Sequence, residues 1–159
     1  MGKTTQRAKS IVHRAKCKEQ RADGKEQVGA ERTVKKMVKE RPKFRFMDLE
    51  IWRDSVEIAG QLFDMADKLE SRRLYRFAEQ LRASGLSMSN NIAEGSGSSS
   101  KREFINFLNI ARRSTFENAN ILLVLETRGF VSEDETTELL RRLDHLCRKI
   151  TNFQKSLSR

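Results

Sequence analysis

Proline and glycine are scarce. One Pro and eight Gly are too few turn formers for a barrel or sandwich of many short strands. Histidine is scarce: His13 and His145 stand alone. Neither has a His at i+4 or a Cys/His cluster, which excludes a zinc-finger pattern. No pair of Glu-x-x-His motifs exists to build a di-iron bundle. The two cysteines, Cys17 and Cys147, have neither metal-ligand spacing nor the pattern of a disulfide framework. Cys147 reads as a small buried hydrophobe. No apolar run approaches the length of a membrane-spanning helix. The basic N-terminus lacks the apolar stretch and cleavage site of a secretory signal. The expectation is a cytoplasmic protein with no membrane partner and no metal or other cofactor.

Catalytic constellations are also missing. Asp64 and Asp67 would form a carboxylate site only by chance of folding, and no Ser, Thr or Cys has an evident base. Gly95, Ser96, Gly97 and Ser98 to Ser100 make a small-residue connection. A phosphate-cradling loop needs a strand before it and a Lys-Ser/Thr pair at its end, whereas Lys101 is followed by Arg102. No catalytic residue is assigned and the chain is not expected to be an enzyme. A metal-dependent nuclease is the one enzymatic class worth testing, because paired carboxylates leave little trace in sequence.

Positive charge is abundant, and it is unevenly placed. The 159 residues carry 32 Lys and Arg against 22 Asp and Glu, a net +10. Residues 1–45 hold 15 basic and five acidic side chains, the whole of that excess; residues 46–159 hold 17 of each. A general bias toward solubility would not split this way. The pattern is that of a basic arm, flexible or partly helical, joined to a neutral folded domain, and such arms commonly meet phosphate. Within the arm, Ala8, Ile11, Val12 and Ala15 make one weak helical stripe. Val34, Met37 and Val38 make another. Each is too short to be stable alone in water, but either would fold on a partner. Pro42 disfavours helix at Arg41 and marks the boundary.

Beyond residue 45 the apolar residues recur with helical period. Asp48 is placed to cap a first helix bearing Leu49, Trp52, Val56, Ala59, Phe63 and Ala66. Trp52 reads as a core or interface anchor. A second helix, starting near Ser71, carries Leu74, Phe77, Leu81, Met88 and Ile92. Gly85 in its middle costs about 1 kcal/mol relative to Ala and implies a close helix crossing. Its other side carries Arg72, Arg73, Arg76 and Arg82. Ser100 and Glu103 have capping-box spacing and open a third helix, Lys101 to Arg128. There Phe104, Phe107, Leu108, Ala111, Leu122 and Leu125 face one way, and Ile105, Phe116, Ala119 and Leu123 widen the stripe. Gly129 ends it. Ser132 and Glu135 repeat the box. Leu139, Leu143, Leu146, Ile150, Phe153 and Leu157 follow at steps of four and three. Short connections make an all-α, antiparallel up-down-up-down four-helix bundle the economical topology. The breadth of the third helix's apolar surface, with Trp52 and Phe63, favours subunit contacts as well as an intramolecular core.

The candidate nucleic-acid contacts are the basic residues of the arm, Lys3, Arg7, Lys9, Arg14, Lys16, Lys18, Arg32, Lys35, Lys36, Lys39, Arg41 and Lys43. Those of the domain are Arg72, Arg73, Arg76, Arg112, Arg113, Arg141 and Arg142. RNA or single-stranded DNA is the expected partner.

The stretch EQLRASGLSMSNNIAEG, Glu79 to Gly95, followed by SGSSSKREFINFLNIARRSTFENANILL over residues 96–123, resembles a known family. These are the small four-helix-bundle proteins encoded in the intervening sequences of bacterial 23S ribosomal RNA. The accessory variability proteins of diversity-generating retroelements form a related branch. Asn91-Ile92-Ala93-Glu94-Gly95 is the most specific piece. Gln80 to Ala83, the Glu103-Phe104 and Phe107-Leu108 pairs, Ile110-Ala111 and Ser114 support it. The first helix is similar to the family's Leu-x-x-Trp opening, with departures at Val56 and Ala59. The resemblance spans roughly residues 46–157 and leaves out the arm. It implies a bundle that assembles as a ring-like homopentamer. In the retroelement branch it implies binding of a reverse transcriptase and of template RNA or complementary DNA. The alternative is a structural or protein-interaction bundle of the ribosomal branch. Read physically, Asn91 to Gly95 ends a helix. Ile92 and Ala93 plug the bundle, Asn90 and Asn91 satisfy terminal carbonyls, Glu94 pairs with Arg82 or with a neighbouring helix, and Gly95 takes a left-handed cap.

Overall fold

The computed structural model describes residues 42–159, so the stripes expected in the arm lie outside the described residues. The chain divides after Lys43, and the unit Phe44–Arg159 holds a 3-10 turn, Arg45–Asp48, and four α-helices. These are α1, Glu50–Ser71; α2, Tyr75–Ser96; α3, Lys101–Thr127; and α4, Glu133–Leu157. No strand occurs among the described residues. Connections of a few residues force antiparallel neighbours. Cross-links between helices confirm the order: Lys68 meets Glu135, Gln80 meets Glu117, and Gln154 meets the Ile105 carbonyl.

The helix ends show where local signals were sufficient. Ser132 and Glu135 form the full reciprocal capping box on α4. Ser100 accepts the Glu103 N–H at 3.2 Å, one half of the expected box. Asp48 does not cap α1. Leu49 occupies that position without a side-chain bond, and Arg53 gathers the carbonyls of Met47 and Asp48 at 3.1 and 3.0 Å. At the end of α3, Gly129 takes φ 67°; its N–H reaches the Glu126 carbonyl at 2.8 Å and Phe130 N–H reaches Leu125 at 2.9 Å. That is the paired-bond geometry of a Schellman cap. The end of α1 repeats it with an arginine: Arg73 has φ 63°, and Leu74 N–H reaches the Leu69 carbonyl at 3.0 Å. The second helix therefore begins at Tyr75 rather than near Ser71, and Arg72 and Arg73 belong to the turn.

One core runs the length of the bundle. α4 buries the expected Leu139, Leu143, Leu146 and Ile150, with Phe153 and Leu157 packed against them. In α1 the buried residues are Ile51, Ser55, Ile58, Leu62, Met65 and Leu69 together with the expected Ala59 and Ala66. The centre of the buried face is shifted from the expected stripe, leaving Val56 exposed and Trp52 and Phe63 half-buried. Trp52 packs on Phe46 with ring centroids 4.9 Å apart. Gly85 does mark a close crossing, since a Cβ there would stand 3.3 Å from Leu62 Cδ1. Gly95 is not a left-handed cap. It is buried inside α2, where a Cβ would lie 2.6 Å from Phe107 Cβ and 2.7 Å from Phe104 Cδ2. Asn91 bonds the Ser87 carbonyl one turn back, at 2.7 Å, rather than a terminal carbonyl.

The α2–α3 seam is polar inside. Ser84 Oγ donates to Asn118 Oδ1 at 2.8 Å, and Asn118 Nδ2 donates to the Ser114 carbonyl at 2.7 Å. Ser87 and Ser114 share a hydroxyl contact of 2.8 Å. Among the described residues no buried side-chain polar atom lacks a partner, so the seam is satisfied and not strained.

Candidate nucleic-acid interface

Lys3, Arg7, Lys9, Arg14, Lys16, Lys18, Arg32, Lys35, Lys36, Lys39 and Arg41 lie outside the described residues. Lys43 is exposed just before the 3-10 turn. The remaining candidates are not gathered into one patch. Arg72, Arg73 and Arg76 sit at the α1–α2 turn. Arg112 and Arg113 are midway along α3. Arg141 and Arg142 are on the N-terminal half of α4.

Several of them are already engaged. Arg72 donates to the Phe130 carbonyl at 2.8 Å, with its guanidinium 5.2 Å from the Phe130 ring centre. It ties the α1–α2 turn to the α3–α4 turn. Arg142 pairs with Glu57 at 2.9 Å and Arg141 with Glu138 at 3.3 Å. Arg112 bonds Asn109 at 3.1 Å. Arg82, expected near Glu94, instead bridges Asp67 and Glu70 of α1. Those two carboxylates raise its pKa, the Asp67 hydrogen bond most. Arg73, Arg76 and Arg113 have no ion pair among the described residues. The helical-wheel expectation failed for Arg72 and Arg73 because α1 ends at Ser71 and Arg73 itself takes the left-handed conformation, so both precede the helix that carries Arg76.

Two grooves flank the α1–α4 contact. One, about 430 Å³, is lined by Asp54, Ile58, Arg141, Arg142, His145 and Lys149. Lys149 is held there by Asp54 at 2.8 Å and Glu50 at 2.5 Å, and the Asp54 bond followed by the Glu50 bond raises its pKa. The other, about 440 Å³, contains Asp64, Lys68, Asp134, Glu135 and Glu138. Lys68 bonds Glu135 at 2.7 Å, which lowers the carboxyl's pKa; the Ser132 hydroxyl and N–H lower it further. Neither groove presents an unpaired cationic floor, and no His/Cys/Asp/Glu group among the described residues is arranged to hold a metal ion. No described helix is long and apolar enough to cross a membrane.

Free cations appear elsewhere. Arg45, Lys101, Arg102, Lys155 and Arg159 have no ion pair among the described residues, and sequence reasoning left all five out. The signal available was the Lys101-Arg102 doublet directly after a capping serine, where the helix dipole disfavours positive charge.

Large apolar side chains also remain uncovered. Phe116 is 62% exposed and Leu123 49%, while Phe104 and Leu122 are buried and Phe107 is half-buried. Phe116 lines a shallow α3–α4 groove with Thr115, Ala119, Leu140 and Cys147. Ile110 and Val124 add to the exposed apolar surface of α3.

The sequence profile of the 23S rRNA-intervening sequence proteins matches residues 47–152. Among solved structures, the chain is similar to a protein of unknown function from the S23 ribosomal protein family of Bacteroides thetaiotaomicron VPI-5482. The two are 22% identical with a TM-score of 0.63, over 66% of this chain and 98% of that one. That likeness shows the fold. No curated protein matches the sequence.

Proposed function

The chain belongs to the 23S rRNA-intervening sequence protein family, and from that premise we propose that it is a non-enzymatic nucleic-acid-binding accessory protein. Its ligands are RNA or single-stranded DNA. The observation that carries the reading is the confinement of the entire +10 to residues 1–45, beside a neutral bundle. Lys and Arg on phosphate release counterions, giving affinity without sequence readout. The resemblance of Glu79–Leu123 is to a family whose retroelement branch binds a reverse transcriptase, and we take that enzyme as the protein partner, with the chain supporting synthesis of complementary DNA on template RNA.

The same reading includes a homopentamer. Exposed Phe116, Leu123 and Ile110 are apolar area that burial between subunits would stabilise at about 25 cal/mol per Å². Five arms on one assembly would bind a strand with avidity that a single arm lacks. Filter binding of the full chain to single-stranded RNA and DNA at two salt concentrations tests the proposal. Affinity should fall steeply with salt, and neutralising the Lys and Arg of residues 1–43 should remove most of it. Absence of binding at micromolar protein, or binding indifferent to salt, defeats it.

A second reading draws on the apolar residues within the arm. Val34, Met37 and Val38 are unnecessary for an electrostatic tether and suit a protein groove. A pull-down with the arm fused to a carrier separates the two: capture of a protein with no retention of RNA favours an interaction bundle.

A further inference from the structure

The neutral sum over the bundle conceals an axial separation of charge. One half comprises residues 44–60, 86–113 and 146–159, the starts of α1 and α3 and the ends of α2 and α4. It holds ten basic and six acidic side chains. The other half, residues 61–85 and 114–145, holds eight basic and eleven acidic. The first is net +4, the second net −3. The free cations follow the same division. Arg45, Lys101, Arg102, Arg113, Lys155 and Arg159 have no ion pair among the described residues in the positive half, where Glu94 and Glu103 are the unpaired acids. In the negative half the unpaired Asp64, Glu79, Glu126, Glu133 and Asp134 outnumber Arg73, Arg76 and Arg128.

The elements of the positive end are tied together. Gln154 of α4 donates to the Ile105 carbonyl of α3 at 3.1 Å, and Phe104 packs edge-on against Phe153 at 5.6 Å. The start of α3, which bears Lys101 and Arg102, therefore lies at the same end of the bundle as the last turns of α4, which bear Lys155. Asp48 and Leu49, at the end of the 3-10 turn, share a groove with Asn152 and Phe153. Phe44 directly precedes that turn, 59% exposed, stacked on Phe46 at 5.6 Å and 12° between planes. Phe46 in turn rests on Trp52. A half-buried aromatic column thus holds an open ring face next to Arg45, at the same end of the bundle as the other unpaired cations.

Cations for phosphate beside a supported aromatic face for bases is the chemistry that binds single strands. We propose that this end of the bundle is a single-stranded nucleic-acid site, with Phe44 as a stacking platform and Arg45, Lys101, Arg102, Lys155 and Arg159 as phosphate contacts. The proposal rests on the nucleic-acid reading above and replaces Arg72, Arg73, Arg76, Arg141 and Arg142 as the contacts of the folded body.

The test measures binding of the full chain to a labelled 20-nucleotide oligouridine RNA across a salt series. Lys101→Gln with Arg102→Gln should reduce the steepness of the log–log salt dependence by about 1.4, at roughly 0.7 per contact on a single strand. Phe44→Ala should weaken binding about five-fold or more with the salt slope unchanged. It should leave binding of a duplex of the same length unaffected. Lys68→Gln with Arg128→Gln removes the same charge from the opposite end and should change affinity less than two-fold. Circular dichroism checks that each variant folds. If the wild type binds and the two charge pairs behave alike, or Phe44→Ala has no effect, this site is wrong while the function stands. If the wild type does not bind at all, both fall together.

Discussion

Ser84 on α2 and Asn118 on α3 share a hydrogen bond of 2.8 Å in the interior of the bundle, and Asn118 is fully buried. The amide fits one register of the two helices, because its other end is committed to the Ser114 carbonyl. Asn118→Ala should lower unfolding free energy by about 1–3 kcal/mol, from a lost hydrogen bond and a small void. Asn118→Asp should cost more at neutral pH, since it buries a charge with no cation beside it. Urea melts of both variants check the order, and an Asp variant as stable as the Ala variant would refute it.

Three glycines sort by what surrounds them. At Gly60 an added Cβ meets nothing within 4 Å, so Gly60→Ala should stabilise by about 0.5–1 kcal/mol through helix propensity. At Gly85 the contact with Leu62 Cδ1 is 3.3 Å, and a terminal methyl is able to yield, so the change should be near neutral. At Gly95 the obstacle is Phe107 Cβ at 2.6 Å, which moves only with its helix. Gly95→Ala should cost about 1–3 kcal/mol. Thermal melts of the three single variants test the ranking.

The turn between α1 and α2 contains both a strained and an anchoring arginine. Arg73 occupies the left-handed region that a side chain disfavours by about 1–2 kcal/mol. Arg73→Gly should therefore stabilise by about 0.5–1 kcal/mol once glycine's greater unfolded-state freedom is counted. Arg72→Ala should destabilise, because it removes the bond to the Phe130 carbonyl and the contact over its ring. Opposite shifts of the urea midpoint for adjacent arginines are the expected outcome.

Assembly is decided by mass. A homopentamer of 18.4 kDa chains should appear near ~92 kDa in native mass spectrometry or light scattering, five copies being the family expectation. Phe116 is exposed in the single chain, so Phe116→Glu should abolish the assembly while helicity by circular dichroism is retained. A wild-type monomer at micromolar concentration would remove the five-arm avidity argument.

Glu135 makes stability depend on acid. Its folded pKa is depressed by Lys68 and by the Ser132 cap from an ordinary value of about 4.3. The unfolded chain thus binds the proton more readily, and the stabilisation is present above that value and lost as pH falls through it toward the folded pKa. The advantage of wild type over Glu135→Gln should be full at pH 7 and shrink below about pH 4.5. Parallel urea melts at several pH values measure it. Ser132→Ala should cost about 1 kcal/mol and reduce the same acid dependence.

What the sequence revealed depended on whether one helix alone held the information. The α4 stripe and its capping box are legible because Leu139 to Leu157 repeat without competitors and the cap is formed by neighbours in the chain. α1 is apolar over a wide arc. Ile51, Ile58 and Leu62 run beside Trp52, Val56 and Phe63, and only the opposing helices select which line is central. The αL turn at Arg73 has no glycine to announce it. Gly95 resembles a cap in sequence, and its true cause is on another helix, in Phe104 and Phe107. The same limit governs the candidate site. The charged arm is visible as composition, but whether a given arginine is free depends on carboxylates such as Glu57, Asp67 and Glu70 that approach from across the bundle.

The side-chain polar links between α1 and α4 are ion pairs at the surface: Glu50 and Asp54 with Lys149, Glu57 with Arg142, and Lys68 with Glu135. Those of α2 with α3 include buried neutral bonds. Molar salt shortens the Debye length to about 3 Å and acts on the first set far more than the second. The bundle is therefore a sheaf bound firmly along one edge and laced along the other. Ionic strength should loosen the lacing, so that amides of α4 exchange with deuterium sooner while those facing the Ser84–Asn118 seam keep their protection.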